Sequence, residues 1–167
     1  MILALAVSYH DRTLHQKYPN GNRKDVFFTA LLILFLGICC GLRTWYNDTV
    51  TYIGIYNNIT PTIDVFFHEN TQTFAQGIGF AFLNSIIKTI GFSSQDYLMF
   101  YALITAYFYV RFVRNYSDNF PLSVFLMFTT GFYTFAFAAI KQCMATAICL
   151  AALDALFERK RLKYIIL

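Results

Sequence analysis

A chain of 167 residues that is 57% hydrophobic and 19% aromatic but only 13% charged departs far from the roughly 25% charged residues of a soluble domain. It lacks the polar side chains with which to build a water-facing surface. A net charge of +4 would suit nucleic acid, but the basic residues stand in short clusters between apolar runs: Arg23 and Lys24; Arg111 and Arg114; Arg159, Lys160, Arg161 and Lys163. Such clusters read as membrane topology signals, so the expected surroundings are a lipid bilayer and no nucleic acid is expected as a partner.

Met1 to Val7 is apolar but too short to span, and no small-residue cleavage site follows it. Residues 10–25 carry Arg12, Lys17, Arg23 and Lys24, which places this loop in the cytoplasm and sends the next apolar run, 26–42, outward. That run, like Tyr97 to Val110 and Pro121 to Ile140, is almost free of charge and close to the ~17 to 25 residues that cross a hydrocarbon core as a helix. None of the three alternates as a barrel strand would. The stretch 43–74 holds Asp48, Asp64 and Glu69 against one arginine. It is expected outside, as a loop longer than connections usually are without a function. Trp45, Tyr46, Tyr52 and Tyr56 are expected to form an outer aromatic belt.

Residues 75–92 are apolar on one side (Ile78, Phe82, Ile86 and Ile90, with Leu83 and Ile87) and polar on the other (Asn84, Ser85, Lys88 and Thr89). If this segment crossed, Arg111, Arg114 and the Glu158 to Lys163 cluster would fall outside. Lying at the outer interface, or re-entering, it leaves both clusters inside. Residues 97–113 then cross inward, 121–140 outward, and 143–157 return. The expected fold class is an all-α, multi-pass transmembrane helical bundle, a single membrane domain with an outer-face loop and an interfacial or re-entrant amphipathic helix. Tyr164 to Leu167 reads as the opening turn of a further helix, so the chain is expected to be part of a longer one.

On this topology Arg43, Asp48, Lys141 and Gln142 share the outer face. Arg43 directly follows an apolar helix. It reads either as an interfacial anchor whose guanidinium reaches the headgroups or as a grip on phosphate oxygens, for which guanidinium has the best-matched shape. Asp48 is placed to pair with it or to act as a base. Lys141 and Gln142 interrupt the apolar stretch from Pro121 to Phe157, and a lysine at the bilayer centre costs about 2.5 to 3.5 kcal/mol on insertion scales. At the interface that penalty is small. Asp154 reads as a helix-end partner for the basic cluster after it. Cys39, Cys40, Cys143 and Cys149 lie in apolar stretches with no CxxC pair and no histidine at ligand spacing. They are read as small buried hydrophobes, and no metal site is expected. The glycosylation-like triplets at Asn47, Asn58 and Asn115 carry little weight.

Three groups of residues, in order, resemble the EpsG family of bacterial exopolysaccharide and capsule proteins, relatives of the Wzy-type polymerases. They are Leu42-Arg43 with Asn47-Asp48-Thr49 and Tyr52; Gly79-Phe80 with Leu83-Asn84 and Gly91-Phe92; and Phe132-Tyr133 leading to Ile140-Lys141-Gln142, with Ala145, Ala147-Ile148 and Arg159-Lys160 beyond. Two departures stand out: Gln76-Gly77 where the family often has an acidic residue, and Lys141 where it usually has arginine. Lysine keeps the charge and gives up the two-pronged grip.

The resemblance implies an enzyme of the glycosyltransferase type, a polysaccharide polymerase in the bacterial cytoplasmic membrane. It would extend oligosaccharide units carried on undecaprenyl diphosphate at the outer face. Arg43, Asp48 and Lys141 are then the expected catalytic residues and Tyr52 and Gln142 the expected substrate-binding ones. No cofactor or nucleotide sugar is expected, because the lipid diphosphate is already a good leaving group, and other polysaccharide-assembly membrane proteins are expected as partners. A transporter or flippase of the same lipid-linked sugar and a non-catalytic subunit of an assembly complex are the alternatives.

Overall fold

The computed structural model describes residues 23–59, 77–117 and 119–157. The expectations for residues 10–22, for Asp64, Glu69 and Gln76, for the Glu158 to Lys163 cluster and for both chain ends lie outside the described residues, as does the side chain of Asp154. Among the described residues there are seven helices and no strand. They are α1 (Arg23–Gly41), α2 (Thr49–Asn58), α3 (Ile78–Thr89), α4 (Ser94–Tyr116), α5 (Phe120–Thr129), α6 (Phe132–Ala138) and α7 (Ile140–Phe157).

Local chemistry starts and stops these helices. Ser93 opens α4 with a capping box: its hydroxyl accepts from the Asp96 N–H at 3.2 Å, and its own N–H donates to the Asp96 carboxylate at 3.0 Å. The Ser93 side chain and backbone together hold the Asp96 carboxyl below its ordinary range. Asn119 caps α5, with Pro121 in its first turn, where a missing N–H costs nothing. Residues 121–140, expected as one helix, are in fact divided. The Thr129 and Thr130 hydroxyls bond back to the Phe125 and Leu126 carbonyls, Gly131 takes φ 77, and α6 departs from α5 at 48°. A left-handed residue cannot continue a helix, and glycine adopts that conformation without strain. A second break at Ala139, φ −121 and ψ 68, separates α6 from α7.

The largest contact in the fold is between α1 and α4, which run antiparallel. A Cβ on Gly37 would meet Leu103 Cδ2 at 2.5 Å, and one on Gly41 would meet Met99 Sδ at 2.6 Å. At the opposite end Arg114 Nη1 donates to Thr29 Oγ1 at 2.8 Å. Two glycines four residues apart let the backbones approach, the small-residue device of helix pairs in membranes. Tyr133 donates to the Leu36 carbonyl at 2.6 Å and Phe132 stacks on Tyr109. The α5–α6 arm therefore climbs back along α1 and α4, and α7 begins beside Tyr97 and Tyr101.

Among the described residues no single helix is long and apolar enough to cross a membrane. The bent pair α5–α6 taken together is, by length and composition. The flanks are nonetheless strongly apolar: Val26, Phe27, Leu34 and Phe35 of α1 and Leu122 and Phe125 of α5 are all about half exposed or more.

The orientation of α3 departs from that of an interfacial helix with its polar side to water. Asn84 and Ser85 are fully buried, whereas Ile78 and Ile90 are 56% and 66% exposed. Its polar side is drawn inward by the tyrosines of α4, where Tyr101 donates to Asn84 Oδ1 at 2.7 Å. The cysteines also divide, with Cys40 and Cys143 buried and Cys39 and Cys149 exposed.

Candidate site at the α2–α7 end of the bundle

Past the end of α1 the chain turns through Asn47, φ 44, a conformation that asparagine tolerates better than most residues, and enters α2. This turn carries Thr49 under Arg43. The Arg43 side chain folds back into the protein and is only 9% exposed. Its Nε donates to Thr49 Oγ1 at 3.1 Å, and its Nη1 donates to the Cys40 carbonyl at 3.2 Å, to Cys40 Sγ at 2.9 Å and to the Ala136 carbonyl at 3.0 Å.

Both carbonyls belong to the last turns of helices. The end of α1 leaves the Cys40 carbonyl without an intrahelical donor, and the break at Ala139 does the same for Ala136. A guanidinium between two helix C-termini also complements their negative dipole ends. Neither expected reading of Arg43, exposed anchor or open phosphate grip, anticipates this. Nη2 alone keeps its two N–H groups without a hydrogen-bond partner among the described residues.

Asp48 does not pair with Arg43. It stands exposed at the start of α2 with no capping bond, and Thr49 takes the place beside the guanidinium. The Asp48 carboxylate still acts on Tyr52, one turn along α2. Burial pushes the Tyr52 phenol above its ordinary value, a backbone contact with Lys141 pulls it back, and the Asp48 charge raises it again. Tyr52 therefore stays a neutral donor. Its hydroxyl lies 3.5 Å from Gln142 Oε1, the long limit of a hydrogen bond, and its ring meets Phe80 edge-on.

Lys141, half-buried at the start of α7, passes its ammonium over Gly77. A Cβ there would lie 3.3 Å from Nζ, and Gly77 has φ 95. Any side chain at this position would be strained and would also displace the lysine.

All five expected site residues thus gather at one end of the bundle, with Tyr52 touching Lys141 and Gln142 and lying within the fields of Arg43 and Asp48. Tyr56, expected in an aromatic belt, is instead 2% exposed, stacked on Tyr97 at 4.3 Å. Trp45 and Tyr46 do face outward, at 84% and 45%.

The sequence singles out Thr49, Cys40, Gly77 and Lys88 but not the contacts they make here. The Lys88 ammonium caps α2, donating to the Tyr56 and Asn57 carbonyls at 2.9 and 2.6 Å. Only the small-residue pair and the run of polar residues inside an apolar helix hinted at this packing. Among the described residues no cluster of histidine, cysteine, aspartate or glutamate is arranged to hold a metal ion. Two cations, a carboxylate, a phenol and an amide at one end suit an anion with attached hydroxyl groups.

An all-helical protein with apolar flanks and a cationic, tyrosine-lined end is the class that fold and site define. Within it, the chain belongs to the EpsG family, matching it over residues 26–167. Membership makes it a membrane-associated protein of polysaccharide biosynthesis. No curated protein and no solved structure matches the chain.

Proposed function

We propose that the protein is a polysaccharide polymerase that extends lipid-diphosphate-linked oligosaccharide repeat units at the outer face of the bacterial cytoplasmic membrane, in exopolysaccharide or capsule synthesis. The observation that carries this reading is the gathering of Arg43, Asp48, Lys141 and Gln142 around Tyr52, from two stretches of chain some ninety residues apart. In this reading the bent α5–α6 arm crosses the bilayer, α1, α4 and α7 are embedded beside it with their polar end residues in the headgroups, and α3 lies against the outer half of α4 without crossing.

In the reaction, an acceptor hydroxyl oxygen attacks the sugar carbon attached to the diphosphate. A new carbon–oxygen bond forms as the bond to the diphosphate breaks. The bond's electron pair leaves with the diphosphate, and the hydroxyl proton passes to Asp48. Lys141 and the Nη2 edge of Arg43 neutralise the charge that develops on the leaving group, and fixed cations aimed at developing charge are among the largest catalytic terms. Tyr52 and Gln142 hold sugar hydroxyls. Lys141, a point charge on a flexible stem, follows the diphosphate where an arginine would grip it.

Arg43 is also a structural cross-link, so Lys141 and Asp48 give the cleaner test. With Lys141→Ala or Asp48→Asn as the sole copy in the native host, polymer synthesis is expected to fall about a hundredfold while protein level holds. Single repeat units should then accumulate at the outer face, where added glycosidase reaches them. Normal polymer from stably inserted variants would overturn the assignment, and repeat units trapped at the inner face would identify a flippase.

A further inference from the structure

Opposite the site, α1 and α4 leave a cleft of about 770 Å³ beside the Arg114–Thr29 bridge. Its α1 wall is apolar apart from Thr29: Val26, Ala30, Ile33 and Leu34, with Val26 63% and Leu34 49% exposed. Its α4 wall is Tyr107, Arg111, Arg114 and Asn115, with Arg111 Nη1 donating to the Tyr107 hydroxyl at 3.1 Å. The two arginines stand three residues apart, on neighbouring positions of one helix face. Among the residues whose side chains the structure describes, which leaves out Asp25, no carboxylate lines the cleft. An apolar stripe about 12 Å long, given 1.5 Å per residue, therefore leads into a doubly cationic mouth.

We propose that this cleft seats one anionic phospholipid, with its phosphate against Arg111 and Arg114 and an acyl chain along Val26, Ala30, Ile33 and Leu34. Guanidinium groups take phosphate oxygens through paired, charge-assisted bonds. The small Ala30 leaves room for a chain, and the Asn115 amide adds polar capacity at the headgroup. The proposal rests on the topology proposed above, in which this end faces the cytoplasmic leaflet, where anionic lipids draw basic residues. A lipid so held would bridge the two helices where they lack the glycine contact, bracing the end remote from the polymerising site.

The test is native mass spectrometry of the full chain in detergent with added phosphatidylglycerol or phosphatidylcholine. The wild type is expected to retain one phosphatidylglycerol and no phosphatidylcholine. Arg111→Gln, which leaves the Arg114–Thr29 bridge in place, should weaken retention about fivefold. Ala30→Trp, which fills the groove and keeps both arginines, should abolish it.

Equal retention of the two lipids by the wild type would overturn the proposal without any variant. Displacement of the lipid by millimolar inorganic phosphate would also overturn it, marking a simple anion site. Retention is read on the purified chain whether or not it makes polymer, so loss of the polymerase reading would leave this result standing, and the reverse.

Discussion

Arg43 joins three helices through one side chain: the end of α1, the end of α6 and the first turn of α2. Removing it leaves the Cys40 carbonyl without its side-chain donor and the Ala136 carbonyl with only the Cys40 thiol, at 3.6 Å, and bonds from a charged donor are worth about 1.5 to 3 kcal/mol. Arg43→Ala is expected to destabilise the fold by about 3 kcal/mol, read as a lower unfolding midpoint in detergent. Arg43→Lys should recover only part, because an ammonium cannot reach Thr49 and Ala136 together as the planar fork does. The importance of Arg43 was legible in the sequence from its place after an apolar helix. Its partners were not, since Ala136 lies 93 residues on and contributes a backbone carbonyl that any residue could supply. Lys141 and Gln142 stood out as polar residues in an apolar stretch, and their meeting with Tyr52 was foreshadowed by the family pattern alone.

Helix α1 shows what a small side chain does for an element. A methyl group on Gly41 would press on Met99 Sδ at 2.6 Å and on its Cα at 2.9 Å, whereas one on Gly54 of α2 meets nothing within 4 Å. Gly41→Ala is expected to cost about 1 to 3 kcal/mol through overpacking. Gly54→Ala should be neutral or stabilising by up to about 1 kcal/mol. Paired thermal melts of the two variants check both signs.

Apolar runs located α1, α4 and the α5–α6 arm in the sequence, because length and lack of charge are local properties. The bend at Gly131 was harder to read, since a single glycine is tolerated in many helices and becomes a break here with two threonines competing for the preceding carbonyls. For α3, the pattern identified two faces but not the medium each would meet. Asn84 turns inward to accept from the Tyr101 hydroxyl, and Ser85 is buried beside it, a fact of tertiary structure.

Across the whole molecule, the antiparallel course of α1 and α4 puts Arg43 and Thr44 at one end and Arg114 and Tyr116 at the other. With Cys39 and Cys149 replaced by serine, a membrane-impermeant maleimide is expected to label Thr44→Cys from outside intact cells. Tyr116→Cys should be labelled only after the membrane is opened. Equal labelling of both from outside would refute the proposed topology. The charge clusters suggest this orientation from the sequence, since they bias loops independently of packing, while the closing of the bundle over Arg43 depends on contacts between distant segments.

That closing has a consequence for the order of synthesis. Arg43 emerges from the ribosome long before Ala136, so on the topology proposed above the first helices enter the bilayer with their linking guanidinium still seeking a carbonyl. Until α6 arrives, the nascent protein is an unfinished hairpin carrying a charge at its rim, held by water, headgroups or the insertion machinery. The later half of the chain locks the earlier half in place, and the vulnerable interval for quality control is the one between those two residues.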